Sequence, residues 1–197
     1  MRCIIVGAGD FSHKKLNTDG ALVIAADGGR ESLDRIGVTP DICIGDFDSL
    51  GYVPSCKETL TLPCEKDVTD TFAAADLAIG RGCDEIELYG ALGGRRFSHS
   101  LANLQLLVYL KKKNVKATLY DEKCTVRVLC SESVSYSGEG KISFIAASDK
   151  ALISISGMKY SGEMLEIRND FPLGISNEYA ESASVTVHEG FVYEIRE

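Results

Sequence analysis

Residues 41–49 read Asp41-Ile42-Cys43-Ile44-Gly45-Asp46-Phe47-Asp48-Ser49, an apolar segment that ends in two carboxylates. The apolar, β-branched first half predicts a buried strand, so the two acids follow directly after a strand end. Because alternate residues of an extended chain face the same way, we expect Asp46 and Asp48 to lie side by side. At such a short distance, two carboxylates repel each other unless a cation lies between them. The pair is therefore a candidate site for Mg²⁺, which takes carboxylate and phosphate oxygens as ligands.

The composition is that of a globular protein with an acidic surface. The chain has 197 residues, 45% of them hydrophobic, enough for one large domain or two small ones. The net charge of -8 repels nucleic acid and anionic membrane, so we expect neither as a partner. Seven cysteines without a C-x-x-C pair indicate reduced thiols in a cytoplasmic protein. No segment has the length of a membrane span, and the short apolar start does not fit a signal peptide.

The pattern of predicted elements changes near residue 122. Before it, β-rich runs alternate with helical patterns, which predicts a parallel α/β sheet. The expected strands are residues 3–6, 21–25, 41–44, 59–62, 85–89 and 116–120, and the expected helices are 30–36, 70–79 and 98–112. After it, short alternating runs predict an antiparallel sandwich or barrel. These runs are residues 125–129, 141–146, 152–155, 164–167, 183–187 and 191–195.

Polar, glycine-rich segments follow four of the predicted strands. They are Gly7-Ala8-Gly9-Asp10, Ala26-Asp27-Gly28-Gly29, residues 45–49 and residues 90–96. Ligands of open α/β sheets bind beyond the carboxyl ends of the strands, so we expect one crevice to collect all four segments. Each segment alone could be an ordinary turn. In a crevice, however, Asp27, Gly28 and Gly29 would let a ligand approach the backbone closely.

Lys66-Asp67-Val68-Thr69-Asp70 precedes the second predicted helix. One interpretation is capping, in which Asp67 or Thr69 accepts hydrogen bonds from free backbone amides and Asp70 lies in the first turn. Capping does not explain a lysine beside two acids and a threonine. That mixture could bind phosphate and metal together, and Asp67 and Asp70 are close enough on a helix start to reach one ligand.

A basic segment supplies positive charge before the third predicted helix. It reads Gly93-Gly94-Arg95-Arg96-Phe97-Ser98-His99, and Asn103 follows one turn later. A helix start preceded by glycines binds phosphate through free amides, and Ser98 could cap it. His99 and Asn103 share one helix face, and Arg95 can donate to two phosphate oxygens. A buried structural histidine is the alternative for His99.

Together these side chains suit phosphoryl transfer, which depends on positioning and charge neutralisation. No Walker A motif is present. The motifs resemble those of the bacterial thiamine pyrophosphokinase family. The resemblance covers nearly the whole chain, because Asp27-Gly28-Gly29, residues 40–49, residues 66–70, residues 93–103 and Gly174-Ile175-Ser176-Asn177-Glu178 occur in the family's order.

The resemblance implies a transferase that moves pyrophosphate from ATP to the hydroxyl of thiamine, giving thiamine diphosphate and AMP. It implies a three-layer α/β domain with a mainly parallel sheet at residues 1–122 and an antiparallel β-sandwich that binds thiamine at residues 123–197. It also implies a homodimer whose active site lies at the subunit interface.

The resemblance also assigns roles to residues of this sequence. Asp46, Asp48 and Asp70 would hold Mg²⁺, and together with Asp67 they form the catalytic acids. Thiamine would contact Ser176 and Asn177, which could otherwise form a plain turn between strands. The ATP-binding residues would be Asp27, Gly28, Gly29, Lys66, Thr69, Gly94, Arg95, His99 and Asn103.

Two departures from the family pattern and two rival functions remain open at this point. Ser98 stands where the family usually has an aspartate, and the chain has no tryptophan on which thiamine could stack. A haloacid-dehalogenase-type phosphatase would use Asp46 as its nucleophile, although its motif normally follows the first strand. A nucleotide-binding regulatory module without turnover is the other alternative.

Overall fold

The computed structural model describes residues 1–94 and 96–197 and divides into two compact units, Met1–Glu122 and Lys123–Glu197. Arg95, one of the predicted ATP ligands, lies outside the described residues. Within the described part of the chain, no helix has the length and apolar character needed to cross a bilayer.

The described residues of unit 1 form six parallel strands and three helices. The strands are β1 (Arg2–Val6), β2 (Leu22–Ala26), β3 (Ile42–Gly45), β4 (Glu58–Thr61), β5 (Glu85–Tyr89) and β6 (Lys116–Tyr120), in the order β6-β5-β1-β2-β3-β4. All neighbouring pairs are parallel, as the alternating sequence pattern predicts. The helices are α1 (Gly29–Arg35), α2 (Asp70–Gly80) and α3 (Phe97–Lys112).

The central strands are apolar at almost every position because both sides of the sheet are covered. Ile4 and Ile5 point to opposite faces of β1, and both are fully buried. Ile4 belongs to a cluster that includes Leu33 of α1. On α2, Ala74, Ala75 and Ala78 are fully buried, and this helix packs on β1, β2 and β3. Small side chains there let the helix approach the sheet closely.

Unit 2 is antiparallel throughout its described pairings. Its strands are β7 (Thr125–Leu129), β8 (Ser133–Ser137), β9 (Gly140–Ala146), β10 (Lys150–Met158), β11 (Gly162–Arg168), β12 (Asn177–Glu189) and β13 (Val192–Arg196). The long strand β12 pairs with β9 at its start and with β8 further along. A core that includes Phe144, Ile153 and Val185 fills the unit.

The main difference from the predicted elements is β8, whose sequence Ser-Val-Ser-Tyr-Ser did not suggest a strand. Only Val134 and Tyr136 of this segment pack on the core, and serines occupy the other three positions. Strands β10 and β12 are also longer than predicted, since their outer parts carry polar residues.

The two helix starts near the predicted site differ in how they are capped. Thr69 caps α2, and its hydroxyl accepts a hydrogen bond from the Phe72 amide at 3.2 Å. The prediction that Ser98 caps α3 is wrong, because the helix begins at Phe97 and its N-cap residue is Arg96, which makes no side-chain capping bond. Ser98 lies inside the first turn, two residues after the N-cap position.

Replacing these two side chains should therefore have unequal effects. Thr69→Ala should lower the free energy of unfolding by about 1 kcal/mol, since the Phe72 amide loses its acceptor. Ser98→Ala should change it by less than about 0.5 kcal/mol, because exposed positions outside a cap contribute little. Urea unfolding of both variants measures the difference. Equal losses for the two would contradict this assignment of the caps.

Candidate active site

A crevice of 530 Å³ lies at the carboxyl edge of the parallel sheet in unit 1. The loops after β1, β2, β3 and β5 form it, as expected from the positions of their polar segments. Eight of the predicted site residues line it, namely Asp27, Gly28, Asp46, Asp48, Asp70, Gly94, His99 and Asn103.

Backbone hydrogen bonds join the loops that follow β1 and β5. The amides of Gly7, Gly9 and Asp10 donate to the carbonyls of Tyr89, Gly90 and Leu92. The loops touch so closely that a Cβ on Gly9 would lie 2.6 Å from the Gly90 carbonyl oxygen. These glycines therefore form a backbone floor that no larger residue could replace without moving the loops.

The loop after β2 is fixed by contacts at Asp27. The Asp27 amide donates to the Ile44 carbonyl at 2.9 Å, and Oδ2 accepts from the Ser49 hydroxyl at 2.7 Å. Oδ1 is buried and has no hydrogen-bond partner among the described residues. Gly29, the next predicted site residue, is buried at the start of α1 and does not line the crevice. An unpaired carboxylate oxygen facing this region favours a cation or a donor group nearby.

Asp46 and Asp48 lie close together, but a turn and not an extended chain brings them there. Phe47 between them has a positive φ of 60° and is buried. The Asp48 amide donates to Asp46 Oδ1 at 3.3 Å, which closes the turn. The prediction that an extended chain brings the two carboxylates together is therefore wrong. The expected proximity is right, because one oxygen of each carboxylate and the Cys64 sulfur all lie within 4.8 Å of one another.

Lys66 connects two of the predicted metal ligands. Its ammonium nitrogen lies 2.6 Å from Asp46 Oδ2 and 3.1 Å from Asp70 Oδ1. The hydrogen bond from Lys66 lowers the pKa of the Asp46 carboxyl. Burial raises the pKa of Asp70, although Lys66 opposes that change. Burial by itself would lower the pKa of Lys66, but the two carboxylates outweigh it and raise the pKa, so the lysine stays charged.

The start of α3 forms the opposite wall of the crevice. Gly94 has a positive φ of 72° and lies against Gly9, while Arg96 and His99 line the space. Asn103 is buried, and its amide donates to the Ala91 carbonyl at 2.7 Å. That bond holds the loop after β5, so Asn103 has at least a structural role.

The remaining predicted residues lie away from this crevice lining. Asp67 is exposed and Thr69 caps α2. In unit 2, the Asn177 side chain is buried and bonded to the backbone of Tyr160 in both directions, at 3.0 and 2.9 Å. Ser176 is exposed, has a positive φ of 58°, and donates its amide to Ser143 Oγ. Of the two predicted thiamine ligands, Ser176 therefore has an exposed side chain and Asn177 a buried one.

Several lining residues were not singled out from the sequence. They include Glu31, Ser32, Arg35, Ser49 and Arg96, and Cys64 adjoins the acid pair. Glu31 and Arg35 are four residues apart, hence on one face of α1, directly after the Asp27-Gly28-Gly29 segment. That spacing was a usable signal. No sequence signal placed Cys64 beside Asp48, because the contact depends on the path of the loop after β4.

The donor set suits a hard divalent cation and an anionic ligand. The carboxylates of Asp46 and Asp48, after β3, and of Asp70, on α2, line the same crevice as the basic side chains of α1 and of the start of α3, which are Arg35, Arg96 and His99. Carboxylate oxygens bind Mg²⁺, and the backbone floor with a helix start binds phosphate oxygens. The arrangement can therefore hold a metal complex of a nucleotide polyphosphate.

Comparison with known proteins gives matches over most of the chain. A family model described as the catalytic domain of thiamin pyrophosphokinase matches residues 13–119. The thiamine pyrophosphokinase of Bacillus subtilis (strain 168) is 33% identical over 171 residues, covering 82% of this chain and 79% of that protein.

Solved structures with the same fold include two bacterial proteins. The crystal structure of thiamine pyrophosphokinase from Bacillus subtilis superposes with a TM-score of 0.86 and 27% identity, covering 100% of this chain and 99% of that one. The structure of thiamin pyrophosphokinase from Geobacillus thermodenitrificans gives a TM-score of 0.83 and 25% identity, covering 100% and 97%. Both share the mixed, mostly β architecture with few helices.

Proposed function

The chain belongs to the thiamin pyrophosphokinase family and is an enzyme of that family, and we propose that the crevice of unit 1 is where it binds ATP and Mg²⁺. The family membership confirms the resemblance drawn from the motifs. It also sets aside the phosphatase and the regulatory module without turnover. The phosphatase reading further required Asp46 to follow the first strand, whereas it follows β3.

The proposed Mg²⁺ ligands are Asp46, Asp48 and Asp70. Their oxygens are hard donors from the loop after β3 and from the first turn of α2, and all three side chains line one crevice. Both features fit a small cation. When bound, Mg²⁺ would neutralise triphosphate charge and hold its oxygens in place.

The triphosphate would lie on the glycine floor, between the acids and the start of α3. Arg96 and His99 line that wall, and Arg95 belongs to the same segment, so the proposal assigns them to phosphate or nucleotide contacts. Asp27, Gly28, Gly29 and Gly94 would act through their backbone, and Lys66 through its ammonium group. Thr69 and Asn103 would hold the loops in position and would not contact the reacting groups.

The thiamine hydroxyl is the nucleophile in this reaction, and it loses one proton as the pyrophosphoryl group moves to it, with AMP leaving. A carboxylate within the crevice would accept that proton. Asp46, Asp48, Asp67 and Asp70 are the candidates. The hydrogen bond from Lys66 lowers the pKa of Asp46 and keeps that carboxyl ionised.

We assign thiamine binding to unit 2, as a β-sandwich domain acting with the three-layer α/β domain of a second subunit. Ser176 has an exposed side chain, while Asn177 fixes its backbone neighbours. Large apolar side chains are exposed near it, among them Tyr160, Phe171 and Ile175. Such a surface supports the proposed homodimer with a shared site. The described cysteines form no disulfide with one another, in keeping with the proposed cytoplasmic location.

The single observation that carries the proposal is the convergence of Asp46, Asp48 and Asp70 with the glycine floor in one crevice. Incubation of the purified protein with ATP, Mg²⁺ and thiamine should yield thiamine diphosphate and AMP in equal amounts. Chromatography of the nucleotides measures the ratio. ADP or inorganic phosphate in place of AMP would contradict pyrophosphoryl transfer, and omission of thiamine is the control for ATP hydrolysis.

A further inference from the structure

A thiol adjoins the acid pair in the crevice. Cys64 is exposed, lies in the segment between β4 and α2, and its Sγ is 3.7 Å from Asp48 Oδ1. The sulfur and one oxygen each from Asp46 and Asp48 lie within 4.8 Å of one another. Among the acidic, cysteine and histidine side chains that the structure describes, these three have donor atoms close enough together to bind one ion.

The segment that carries Cys64 is held against the acids by Lys66. The Lys66 ammonium donates to Asp46 Oδ2 at 2.6 Å and to the Pro63 carbonyl at 3.3 Å, so residues on both sides of Cys64 are anchored. The Lys66 side chain is only 13% exposed. Because of this anchoring, the thiol is positioned near Asp48 before any ion arrives, and little chain ordering is needed on binding.

The spacing suits a small ion of borderline or soft character. Oxygen and sulfur ligands of a tetrahedral zinc ion, at bond lengths of about 2.1 and 2.3 Å, are separated by about 3.6 Å. The sulfur and oxygen of Cys64 and Asp48 are already 3.7 Å apart. Mg²⁺ gains little from sulfur, whereas Zn²⁺ and Cd²⁺ bind thiolates strongly.

We propose that Asp46, Asp48 and Cys64 form a mixed oxygen and sulfur site that binds thiophilic divalent cations such as Zn²⁺ and Cd²⁺ more tightly than Mg²⁺. The inference rests on the proposed function in taking the acid pair as the Mg²⁺ site. On binding, the Cys64 thiol gives its proton to solvent and the sulfur forms the bond to the ion. Such an ion would occupy the Mg²⁺ position. Cys64 would therefore make the enzyme susceptible to replacement of Mg²⁺ by thiophilic cations.

A titration of the full-length, metal-free protein with Cd²⁺, without nucleotide or thiamine, tests this directly. The ultraviolet charge-transfer band of a cadmium–thiolate bond should rise and saturate at one Cd²⁺ per chain. Cys64→Ser should lose this band and bind Cd²⁺ more weakly by about tenfold or more. Asp48→Asn should keep a band but weaken Cd²⁺ binding by about tenfold, because one oxygen ligand is replaced by a neutral amide.

Cys130→Ser is the matched control, since Cys130 is a partly exposed thiol in unit 2 whose sulfur lies 3.8 Å from Ser131 Oγ. It should retain the band and the affinity. An unchanged band in Cys64→Ser would overturn the proposal, as would an unchanged affinity in Asp48→Asn. Circular dichroism checks that both variants are folded. If Cd²⁺ binds as expected while the AMP assay fails, the proposed reaction fails and the mixed site stands.

Discussion

Replacing Asp48 with asparagine should lower kcat for thiamine diphosphate formation by about 1,000-fold or more, because the proposed Mg²⁺ loses a charged ligand. The substitution keeps the size of the side chain. It also leaves the Asp48 backbone amide free to donate to Asp46 Oδ1, so the turn should persist. Production of AMP at saturating ATP and Mg²⁺ measures the loss.

Glu65→Gln provides a matched control for this experiment. Glu65 is an exposed acid between β4 and α2 that does not line the crevice, so its replacement removes the same charge without changing a proposed ligand. We expect Glu65→Gln to retain the full rate. If Asp48→Asn turned over at the rate of the unmodified enzyme, Asp48 could not be a metal ligand.

Gly29→Ala should be the most destabilising single methyl addition near the crevice. Gly29 begins α1, and a Cβ there would overlap the Val6 carbonyl oxygen at the end of β1, with the Gly7 carbonyl oxygen 3.1 Å away. These backbone atoms cannot rotate away as the end of a flexible side chain would. We expect a loss of about 3 kcal/mol or more in the free energy of unfolding, measured by urea denaturation.

Gly80→Ala is the corresponding control, because it also adds one methyl group to a helix end. A Cβ at Gly80, the last residue of α2, would meet no atom within 4 Å. Alanine favours the helix over glycine, so this variant should be unchanged or more stable by up to about 1 kcal/mol. A similar stability for the two variants would show that α1 can move away from β1 at little cost.

The sequence pattern predicted the position of the crevice well because it rests on local signals. The strands before Gly7, Asp27 and Asp46 are short apolar runs, the strand before Gly90 alternates glutamate with apolar residues, and parallel pairing places their carboxyl ends at one edge. Strand β8 was not predicted because only two of its five residues are apolar, and three serines alternate with them. Pairing with β12 determines the extended conformation of this segment, and the intrinsic strand propensity of its residues does not.

Within the site, contacts between distant segments could not be read from the chain. Asp46 and Asp48 come together through the positive φ of Phe47, a conformation that an aromatic residue rarely adopts and that burial of its ring maintains. The approach of Cys64 to Asp48 follows from the loop after β4. The predicted cap at Ser98 is wrong because α3 begins at Phe97, two residues earlier than a cap at Ser98 requires.

The ammonium group of Lys66 between Asp46 and Asp70 also bears on how the protein reaches its native state. Three acids gathered in one crevice would repel one another during folding, yet this internal cation offsets two of them from within the same chain. We therefore expect the α/β unit to fold without added metal ions. A newly made chain can complete its α/β unit first and meet its metal and nucleotide afterwards, as one complex arriving at a site that already exists.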